Sequence, residues 1–468
     1  MANLVEQLAD FAGKVRFEDL PPGVVSETKR LILDCVACGL SGWVSQKGKF
    51  AAEVAREMGG RGEATILGSG PKVSALGAAF ANGELINALD YDSLLTPPGH
   101  ATPFVTPALM AVAEKARVSG KALLQAMAIS HEVCLRMGRA MGYYRDPKNP
   151  QRQAVSGVSS TALGATLGVG KLMSLPVPAL ASAVGLAGRM APAQSMAKWT
   201  KTTPLSMDKY LMAGWASEVP IIAVMLAAKG YAGDTTLLEG EFGFYRFMGS
   251  NKWDPSGLVT GLGSVWGFPQ STVYKYYPGC RVIHTALDCF YEIVAKEGLQ
   301  PEEIESIFAY IDSHVIGDPA WENMNITSDI DAQMSVAYTF AVAAHRVPVG
   351  PKWFVPETWQ DGRILGFMPK VKFAGHPDYY KALEKDPASR IGKVEVVARG
   401  KKYVGERTYR KGSPATPETF MTDKELEEKL GTCAAGVLSL SKVKKACEQV
   451  WTLEQMDDVS VFARNLAA

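Results

Sequence analysis

The sequence predicts a mainly α-helical protein in which a large helical domain, built from both chain ends, carries an inserted α+β domain. Three observations favour this fold class. Residues 4–233 form a succession of apolar helical patterns, punctuated by glycine and proline, without alternation of strands and helices. Aromatic and β-branched residues cluster after about Trp266 and include strand-like runs. Amphipathic helical patterns resume at Asp423 and continue to Ala468.

The length of 468 residues is too great for a single hydrophobic core, so two domains are expected. We assign residues 1–266 and 420–468 to the helical domain and residues 267–419 to a smaller α+β lid domain. A ligand is expected in the cleft between two such domains.

The predicted helices of the first part are rich in alanine and glycine and carry few charges, so several should be buried on most sides. The apolar run 219–228 contains Pro220 and is shorter than the roughly 18 residues of a membrane span, which favours a core helix. The predicted helices span residues 22–40, 49–58, 75–88, 107–118, 120–141, 158–173, 178–187 and 209–229.

The later part of the chain mixes helices and strands. Helices are predicted at residues 285–297 and 332–344, and residues 306–318 show the near alternation of a strand. Residues 391–412 predict a hairpin in an antiparallel sheet with one face in water. These elements make up the α+β domain.

Composition and charge exclude several classes of function. Lys and Arg number 49 and Asp and Glu 48, so no overall field attracts nucleic acid or an anionic membrane. The N-terminal residues lack the features of a signal peptide, and we expect a cytoplasmic protein. The pair Cys35 and Cys38 lies in a helical pattern, where core packing is favoured over zinc or redox chemistry. Phosphate loops and metal-ligand spacings are missing from the sequence, which disfavours an NTPase and a metalloenzyme.

Residues 82–113 contain the strongest local indication of a functional site. A helical pattern brings Asp90 and Asp92 to its end, a Pro-Pro-Gly break follows, and His100 precedes a second helix. Thr102 is predicted as the N-cap of that helix, with Pro103 in its first position. An Asp that orients a His beside a cavity suits proton transfer near neutral pH, and Asp90 is the expected orienting group. The alternative is a loop whose carboxylates only cap the next helix.

Six sequence blocks carry a resemblance to a known family. They are LILDCVACGLSG, NALDYD followed by GHATPFVTPALMAVAE, STALGATLGVGKLMSL, DKYLMAGWASEVPIIAVMLAAKGYAG, KYYPGCRVIHTALD and KGSPATP. In this order and spacing they resemble the MmgE/PrpD family, which includes 2-methylcitrate dehydratase, cis-aconitate decarboxylase and iminodisuccinate epimerase. The resemblance spans nearly the whole chain. It implies a large all-helical domain, a smaller α+β lid domain, a homodimer, no cofactor and a small polycarboxylate substrate.

The resemblance also places site residues. The expected catalytic residues are His100, Asp90, Lys209 and Tyr338, with Lys209 placed on a helix. The expected substrate-binding residues are Lys275, Arg281, His284, Asp92 and Cys280. Local cations on rigid elements suit the recognition of substrate carboxylates.

Each of these residues also has a plainer interpretation. Taken singly, Lys275 and Arg281 fit solvated surface cations, and His284 fits a satisfied histidine at a helix start. Packing is favoured over nucleophilic catalysis for Cys280. A desolvated Lys209 is the alternative to His100 as the catalytic base.

Two departures from the family pattern leave the reaction open. Val155-Ser156 stands where several members have His-Pro, and Asp92-Ser93-Leu94 stands where decarboxylases and dehydratases tend to have Asp-Asp-Thr. The first interpretation is a lyase that expels water or carbon dioxide from a small di- or tricarboxylate. The second is an epimerase or isomerase of a dicarboxylate such as iminodisuccinate. A non-catalytic carboxylate-binding protein is the alternative from another class.

Overall fold

The computed structural model describes residues 2–142, 157–193, 196–250 and 252–468. Helices dominate it, which confirms the predicted mainly α class. The helices up to residue 259 are α1 (Leu4–Lys14), α2 (Pro22–Ser41), α3 (Gln46–Glu57), α4 (Ala75–Asn87), α5 (Thr102–Ala116), α6 (Gly120–Ala140), α7 (Thr161–Leu172), α8 (Val177–Met190), α9 (Met196–Thr200), α10 (Ala213–Ala227), α11 (Phe244–Phe247) and α12 (Ser256–Val259).

The remaining helices are α13 (Phe268–Ser271), α14 (His284–Glu297), α15 (Pro319–Glu322), α16 (Asp329–Met334), α17 (Val336–Ala344), α18 (Pro356–Trp359), α19 (Gly362–Phe367), α20 (Tyr379–Lys385), α21 (Asp423–Ala434), α22 (Leu440–Trp451) and α23 (Ser460–Asn465). The strands are β1 (Ala64–Thr65), β2 (Lys72–Val73), β3 (Leu94–Leu95), β4 (Gly99–His100), β5 (Thr272–Val273), β6 (Ile304–Ile311), β7 (Val371–Gly375), β8 (Gly392–Ala398) and β9 (Lys401–Arg407).

Helix α4 lies at the centre of the helical core and contacts α2, α3, α5 and α10. Glycines set its close approach to α10. A Cβ on Gly83 would lie 2.8 Å from the Ala213 carbonyl oxygen, and one on Gly214 would lie 2.7 Å from the Phe80 carbonyl oxygen. The small residues of both helices therefore hold the C-terminal end of α4 beside the segment that leads into α10.

The largest sheet has the strand order β7-β6-β8-β9 and is covered by α14, which contacts β8 and β9. The predicted hairpin is confirmed, with Arg399 and Gly400 at positive φ in its two-residue turn, as a type I′ turn requires. The expectation of an antiparallel sheet was incomplete, because β7 pairs with β6 in parallel. Alternate residues of β8 are buried, so one face of this strand packs on the core.

A second sheet, with the order β4-β3-β5, joins distant parts of the chain. Leu94 pairs with both His100 and Val273. This sheet places the segment that carries Asp90 and His100 against the segment that leads to Lys275. The two parts of the candidate site therefore meet through backbone pairing.

Several predicted helix boundaries were wrong. The helix expected at residues 209–229 begins only at Ala213, and Lys209 precedes it with φ 54°. The helix expected at residues 332–344 is interrupted at Ser335, whose hydroxyl accepts a hydrogen bond from the Tyr338 amide. Thr102 is the first residue of α5 rather than its N-cap, and its hydroxyl pairs with that of Ser93 at 2.8 Å. In each case a tertiary contact or backbone conformation overrides local propensity.

The two ends of the chain meet, because α21 packs against α2. The division into residues 1–266 with 420–468 and residues 267–419 stays a prediction. Within the described ranges, no helix combines the length and the apolar character needed to cross a membrane.

Candidate active site

Asp90 lies at the centre of a buried cluster of charged side chains. It follows α4 with φ 52°, in the left-handed region that residues other than glycine rarely adopt. Its Oδ2 accepts a hydrogen bond from Lys275 Nζ at 2.7 Å, and its backbone carbonyl accepts another from the same ammonium. Its Oδ1 accepts from the Tyr210 hydroxyl at 3.1 Å and lies 3.5 Å from Lys209 Nζ. One carboxylate is thus shared by two lysines and a tyrosine.

Opposing influences act on the ionisation of Asp90. Burial by itself favours the neutral acid, yet the positive charges of Lys275 and Lys209 outweigh it and hold the pKa of Asp90 well below its usual value. Asp90 is therefore ionised at neutral pH and serves as the counter-ion of the buried lysines.

His100 is oriented by Asp92. Its Nδ1 lies 2.6 Å from Asp92 Oδ2, whereas its Nε2 lies 3.7 Å from Asp90 Oδ1. The prediction that Asp90 orients the imidazole was wrong, because β4 turns the Nδ1 edge of the ring towards Asp92. With Nδ1–H donated to an ionised Asp92, Nε2 is the basic nitrogen of the neutral ring.

The imidazole of His100 packs against Tyr210, with ring centroids 4.7 Å apart. Burial lowers the pKa of His100, although Asp92 acts in the opposite direction. His100 is therefore mostly neutral near pH 7, and its Nε2 can accept a proton and pass it on.

Lys209 is fully buried and has two neutral hydrogen-bond acceptors. Its Nζ donates to the Asn87 carbonyl at 2.8 Å and to Gln333 Oε1 at 2.9 Å. Burial lowers the pKa of Lys209 to about 8, against the opposing effect of Asp90. Such a lysine remains an ammonium at pH 7 and still releases its proton readily.

The block around Lys275 supplies three further expected residues. Arg281 is half-buried, and a Cβ on Gly99 would lie 3.6 Å from its Nη1, so its guanidinium lies beside the residue that precedes His100. His284 opens α14 and packs edge-on against Tyr277, with ring centroids 5.5 Å apart. Burial, followed by the charge of Lys275, holds the pKa of His284 well below its usual value.

Cys280 fits the packing interpretation. Its sulfur accepts a hydrogen bond from Trp321 Nε1 at 3.3 Å, and burial raises the pKa of the thiol. A thiol with a raised pKa is a poor nucleophile at neutral pH.

Tyr338 is held away from the cluster by its own neighbours. Its hydroxyl donates to the Trp353 carbonyl, and its ring stacks on Phe354 at 6.5 Å. Among the described residues, its hydrogen bonds and ring contacts lie within residues 335–354. These contacts give Tyr338 a packing role and offer no support for its expected catalytic role.

Two residues of the cluster were missed by sequence reasoning. Tyr210 follows Lys209 directly in DKYLMAG, and Gln333 lies five residues before Tyr338 in AQMSVAY. Both residues therefore lie close in the sequence to expected site residues. The signal that would have found Gln333 is a buried amide at the end of a short helix, next to a predicted cleft.

A second buried ion pair, Asp34–Lys429, contacts the backbone next to the Asp90 cluster. Lys429 on α21 lies 2.7 Å from Asp34 on α2 and also donates to the carbonyls of Tyr91 and Lys275, at 2.9 Å and 3.0 Å. The other oxygen of Asp34 accepts from the Ser93 amide at 3.0 Å. The pair thus holds the backbone that follows Asp90, at Tyr91 and Ser93, and the backbone carbonyl of Lys275.

Asp90, Asp92 and His100 offer three potential metal-ligand atoms within 4.8 Å of one another. The same cluster contains two lysines on Asp90, at 2.7 Å and 3.5 Å. A divalent cation would have to displace or repel these ammonium groups. The donor set therefore suits protons better than a metal ion.

A cleft of about 240 Å³ opens beside Thr96, at the end of β3. Its lining combines three guanidinium groups with hydroxyls and one carboxylate, and the residues that supply them are Arg139, Arg390, Arg410, Thr96, Ser271, Ser413 and Asp386. The three guanidinium groups outnumber the one carboxylate, so the cleft favours the approach of an anion.

The departures from the expected motif fall in different regions. Val155 and Ser156 lie outside the described residues. Ser93 is buried and hydrogen-bonded through its amide to Asp34, and Leu94 lies in β3. Ser93 and Leu94 therefore stabilise the local backbone and are not placed to contact a ligand.

Comparison with known proteins covers nearly the whole chain. The profile of the MmgE/PrpD N-terminal domain matches residues 6–256, and that of the MmgE/PrpD C-terminal domain matches residues 277–454. The cis-aconitate decarboxylase-like protein oryM of Aspergillus oryzae is 25% identical over 98% of this chain and 96% of its own length. The cis-aconitate decarboxylases of Aspergillus terreus and Homo sapiens are 24% and 25% identical, over 98% and 99% of this chain and 95% and 94% of their own lengths.

Proposed function

Because this chain belongs to the MmgE/PrpD family, we propose that it is a lyase that removes carbon dioxide from a small tricarboxylate. The similarity to cis-aconitate decarboxylases over almost the full length supports this choice among the reactions of the family. No cofactor is needed in this proposal, because the chain's own residues bind the substrate and transfer the proton.

The observation that carries the proposal is the buried cluster of Asp90, His100, Lys209 and Lys275. Three titratable groups share hydrogen bonds or close contacts with the Asp90 carboxylate. Burial of so many charges is costly unless the charges have a function or full compensation. The neighbouring Tyr210 and Gln333 complete a site suited to moving one proton.

The reaction consumes one proton for each carbon dioxide released. The bond between a substrate carboxylate carbon and its neighbouring carbon breaks, and carbon dioxide leaves. The electron pair moves through the adjacent double bond of the substrate to the carbon beside a second carboxylate. A proton is delivered to that carbon, so a tricarboxylate and one proton give a dicarboxylate and carbon dioxide.

Lys209 is the proposed proton donor, since its ammonium persists at pH 7 with a pKa of about 8. His100 is the proposed route by which Lys209 recovers a proton. Nε2 of His100 and Nζ of Lys209 both face Oδ1 of Asp90, at 3.7 Å and 3.5 Å. Asp92 holds the ring in the orientation that this transfer requires.

Arg281 is proposed to bind a substrate carboxylate, because guanidinium groups pair well with carboxylates and this one lies beside the His100 strand. Lys275 was expected in the same role, but its ammonium is engaged by Asp90. We assign it the role of keeping Asp90 ionised, which in turn keeps Lys209 charged.

Proton NMR in D₂O tests the proposal with three candidate substrates, cis-aconitate, 2-methylcitrate and iminodisuccinate. Loss of carbon dioxide from cis-aconitate, with one deuterium in the product, is the expected result. Loss of water from 2-methylcitrate would instead indicate a dehydratase. Exchange of the iminodisuccinate proton without loss of a group would indicate an epimerase.

Thermal-shift measurements with the same compounds separate the enzyme from a carboxylate-binding protein. A ligand at a hundredfold excess over its Kd raises stability by about 2.7 kcal/mol. A clear shift in Tm without turnover of any compound would contradict the lyase proposal and favour a sensor.

A further inference from the structure

We propose that Gln333 is a positioning residue for Lys209, and that its side-chain amide fixes the direction in which Lys209 gives up its proton. This inference rests on the proposed function, in which Lys209 is the proton donor. Gln333 lies within residues 267–419, between the two helical parts of the chain, and the inference gives it a role in that reaction.

Gln333 is fully buried at the end of α16 and makes two side-chain hydrogen bonds to groups of the helical core. Its Oε1 accepts from Lys209 Nζ at 2.9 Å, and its Nε2 donates to the Ala88 carbonyl at 2.9 Å. The bond to Ala88 decides which end of the amide faces the lysine, because a flipped amide would direct its N–H groups at the ammonium. The carbonyl oxygen of Gln333 is therefore locked towards Lys209.

The backbone of Gln333 is fixed as well. Its carbonyl accepts a hydrogen bond from the Cys280 amide at 2.9 Å. Cys280 lies in the turn between Lys275 and Arg281. The residue thus connects the Lys209 segment, the end of α4 and the turn that carries Arg281.

The geometry at Nζ distinguishes the three hydrogens of the Lys209 ammonium. Two are donated to carbonyl oxygens, those of Asn87 at 2.8 Å and of the Gln333 side chain at 2.9 Å. Amide carbonyls are too weakly basic to accept a proton at neutral pH, so these hydrogens stay on nitrogen. A third lies towards Asp90, whose Oδ1 is 3.5 Å away, at the limit of a hydrogen bond.

When the weakly held proton leaves, the two carbonyls still hold the remaining N–H bonds. The lone pair of the neutral amine then stays in the direction from which the proton departed. Without Gln333, the amine would lose one of these two N–H···O=C hydrogen bonds, and the direction of its lone pair would be less tightly fixed. Gln333 thereby keeps the nitrogen aimed at the same point before and after transfer.

Gln333 contributes this without adding a charge. Charged and titratable groups already surround Lys209 from every side, and they are Asp90, Asp92, Asp329, Lys47, Lys275 and Tyr210. Asp90 and Asp92 favour the ammonium, whereas burial, Lys47 and Lys275 favour the neutral amine. A carboxylate in place of the amide would add a negative charge 2.9 Å from Nζ and stabilise the ammonium further.

Two variants of Gln333 test this role. In Gln333→Glu, the pKa of Lys209 should rise by about 1–3 units. In Gln333→Met, kcat for cis-aconitate should fall about tenfold to hundredfold with KM little changed, because the nitrogen is no longer aimed. The pKa is followed by the ¹³Cε resonance of Lys209, assigned by its loss in Lys209→Arg. This readout does not require turnover.

Asn82 supplies a matched control. Its buried amide also bridges two backbone groups, the Leu67 amide and the Thr65 carbonyl, each at 2.9 Å. It lies on α4, more than a helical turn before Asn87. Asn82→Asp and Asn82→Leu should lower Tm without changing the Lys209 titration or the pH dependence of kcat.

An unchanged Lys209 resonance in Gln333→Glu, or a kcat in Gln333→Met equal to that of the unmodified protein, overturns the inference. Equal kinetic changes in the Asn82 and Gln333 variants would show that these changes come from a general loss of rigidity. That result would also overturn the inference. If the unmodified protein turns over no polycarboxylate, the proposed function fails separately, and the ¹³C titration still decides whether Gln333 controls Lys209.

Discussion

Lys209 and His100 differ in the form that predominates at pH 7: Lys209 is an ammonium, whereas His100 is mostly neutral. Lys209 is fully buried, whereas His100 retains 9% of its exposure and is the more accessible of the two. The sequence suggested His100 as the main proton-transfer group and Lys209 as the alternative. Burial lowers the pKa of both groups, but at about 8 the pKa of Lys209 still leaves it charged at pH 7, so Lys209 is the proposed donor and His100 the proposed relay.

Substitution of each residue separates these roles. We expect Lys209→Ala to abolish measurable turnover and His100→Ala to lower kcat by about a hundredfold to ten-thousandfold. Added imidazole should restore part of the activity of His100→Ala, because diffusible imidazole takes up a proton from the buffer and delivers it in place of the His100 ring. Circular dichroism and Tm check that both variants are folded. Near-full kcat in Lys209→Ala would contradict the assignment.

The pH dependence of kcat provides a second check at this residue. The pKa of Lys209 is lowered to about 8, so the ammonium is lost as pH rises through 8 and kcat should fall there. The unfolded chain keeps a lysine pKa near 10.4, so between about pH 8 and 10.4 it binds more protons than the folded chain. This group's contribution to the free energy of unfolding therefore increases with pH in that window.

A fall in kcat above pH 8 that is caused by Lys209 should not be accompanied by a fall in Tm attributable to this residue. Rate and Tm are measured in the same buffers, with Lys209→Arg as the comparison. A variant with arginine lacks a group that titrates in this range, so the remaining activity should lose the alkaline fall. Retention of the same fall in Lys209→Arg would show that another group titrates.

At the scale of elements, long uniform patterns were predictable and junctions were not. Helices α2, α4, α6 and α14, and the hairpin of β8 and β9, follow from periodicity and turn residues. The start of α10 was misplaced, because the apolar residues around Lys209 continue the helical pattern while its backbone adopts φ 54°. A residue with positive φ cannot be recognised from the local sequence unless it is glycine.

The site shows the same division. The sequence identified Asp90, His100, Lys209 and Lys275 as site candidates, because they occur in motifs with distinctive chemistry. The structure brings all four together. Whether Asp90 or Asp92 orients His100 depends on which edge of the imidazole ring β4 turns towards each carboxylate. The spacing of these residues in the sequence does not determine that edge. The Asp34–Lys429 pair was missed because its partners are 395 positions apart.

The Asp34–Lys429 pair yields a prediction for α2 and α21. Lys429→Met leaves Asp34 buried without its cation and should lower the free energy of unfolding by about 3–5 kcal/mol. The double variant Asp34→Asn with Lys429→Met removes both charges and should recover most of that stability. Its kcat should stay low, because the carbonyls of Tyr91 and Lys275 have lost their donor. Chemical denaturation and steady-state rates measure the two effects.

Glu132 and Arg136 provide a control for that experiment. They form another buried ion pair, at 2.7 Å, whose arginine also donates to backbone carbonyls. Glu132→Gln with Arg136→Met should change stability without a comparable loss of kcat. Equal losses of kcat in the two double variants would show that the Asp34–Lys429 pair has no special role in the site.

At the scale of the whole molecule, one exposed apolar surface suggests where two copies associate. Trp215 and Met225 on α10 and Met212, which directly precedes this helix, are 43–45% exposed. On α3, Phe50 and Val54 are 48% and 41% exposed, and both helices contact α4. Exposed apolar side chains on two helices that pack on the same central helix make these helices candidates for an interface.

We expect a homodimer through these two helices, and light scattering should give twice the 50.3 kDa of one chain. Trp215→Glu should shift the mass towards that of a single chain, because a charge would be buried in the contact. Leu440→Glu serves as the control, since Leu440 is 84% exposed on a different helix. A single-chain mass for the unmodified protein at micromolar concentration would rule out the dimer.

The contact between α2 and α21 also sets the order in which the protein can mature during its synthesis. Lys429 follows Asp34 by 395 residues, an interval of roughly 20–80 s at about 5–20 residues per second. Until Lys429 emerges from the ribosome, Asp34 and the carbonyls of Tyr91 and Lys275 lack their cationic partner. A nascent chain therefore carries the Asp90 cluster in unfinished form for most of its translation. We therefore expect the proposed activity to appear only after α21 has docked on α2.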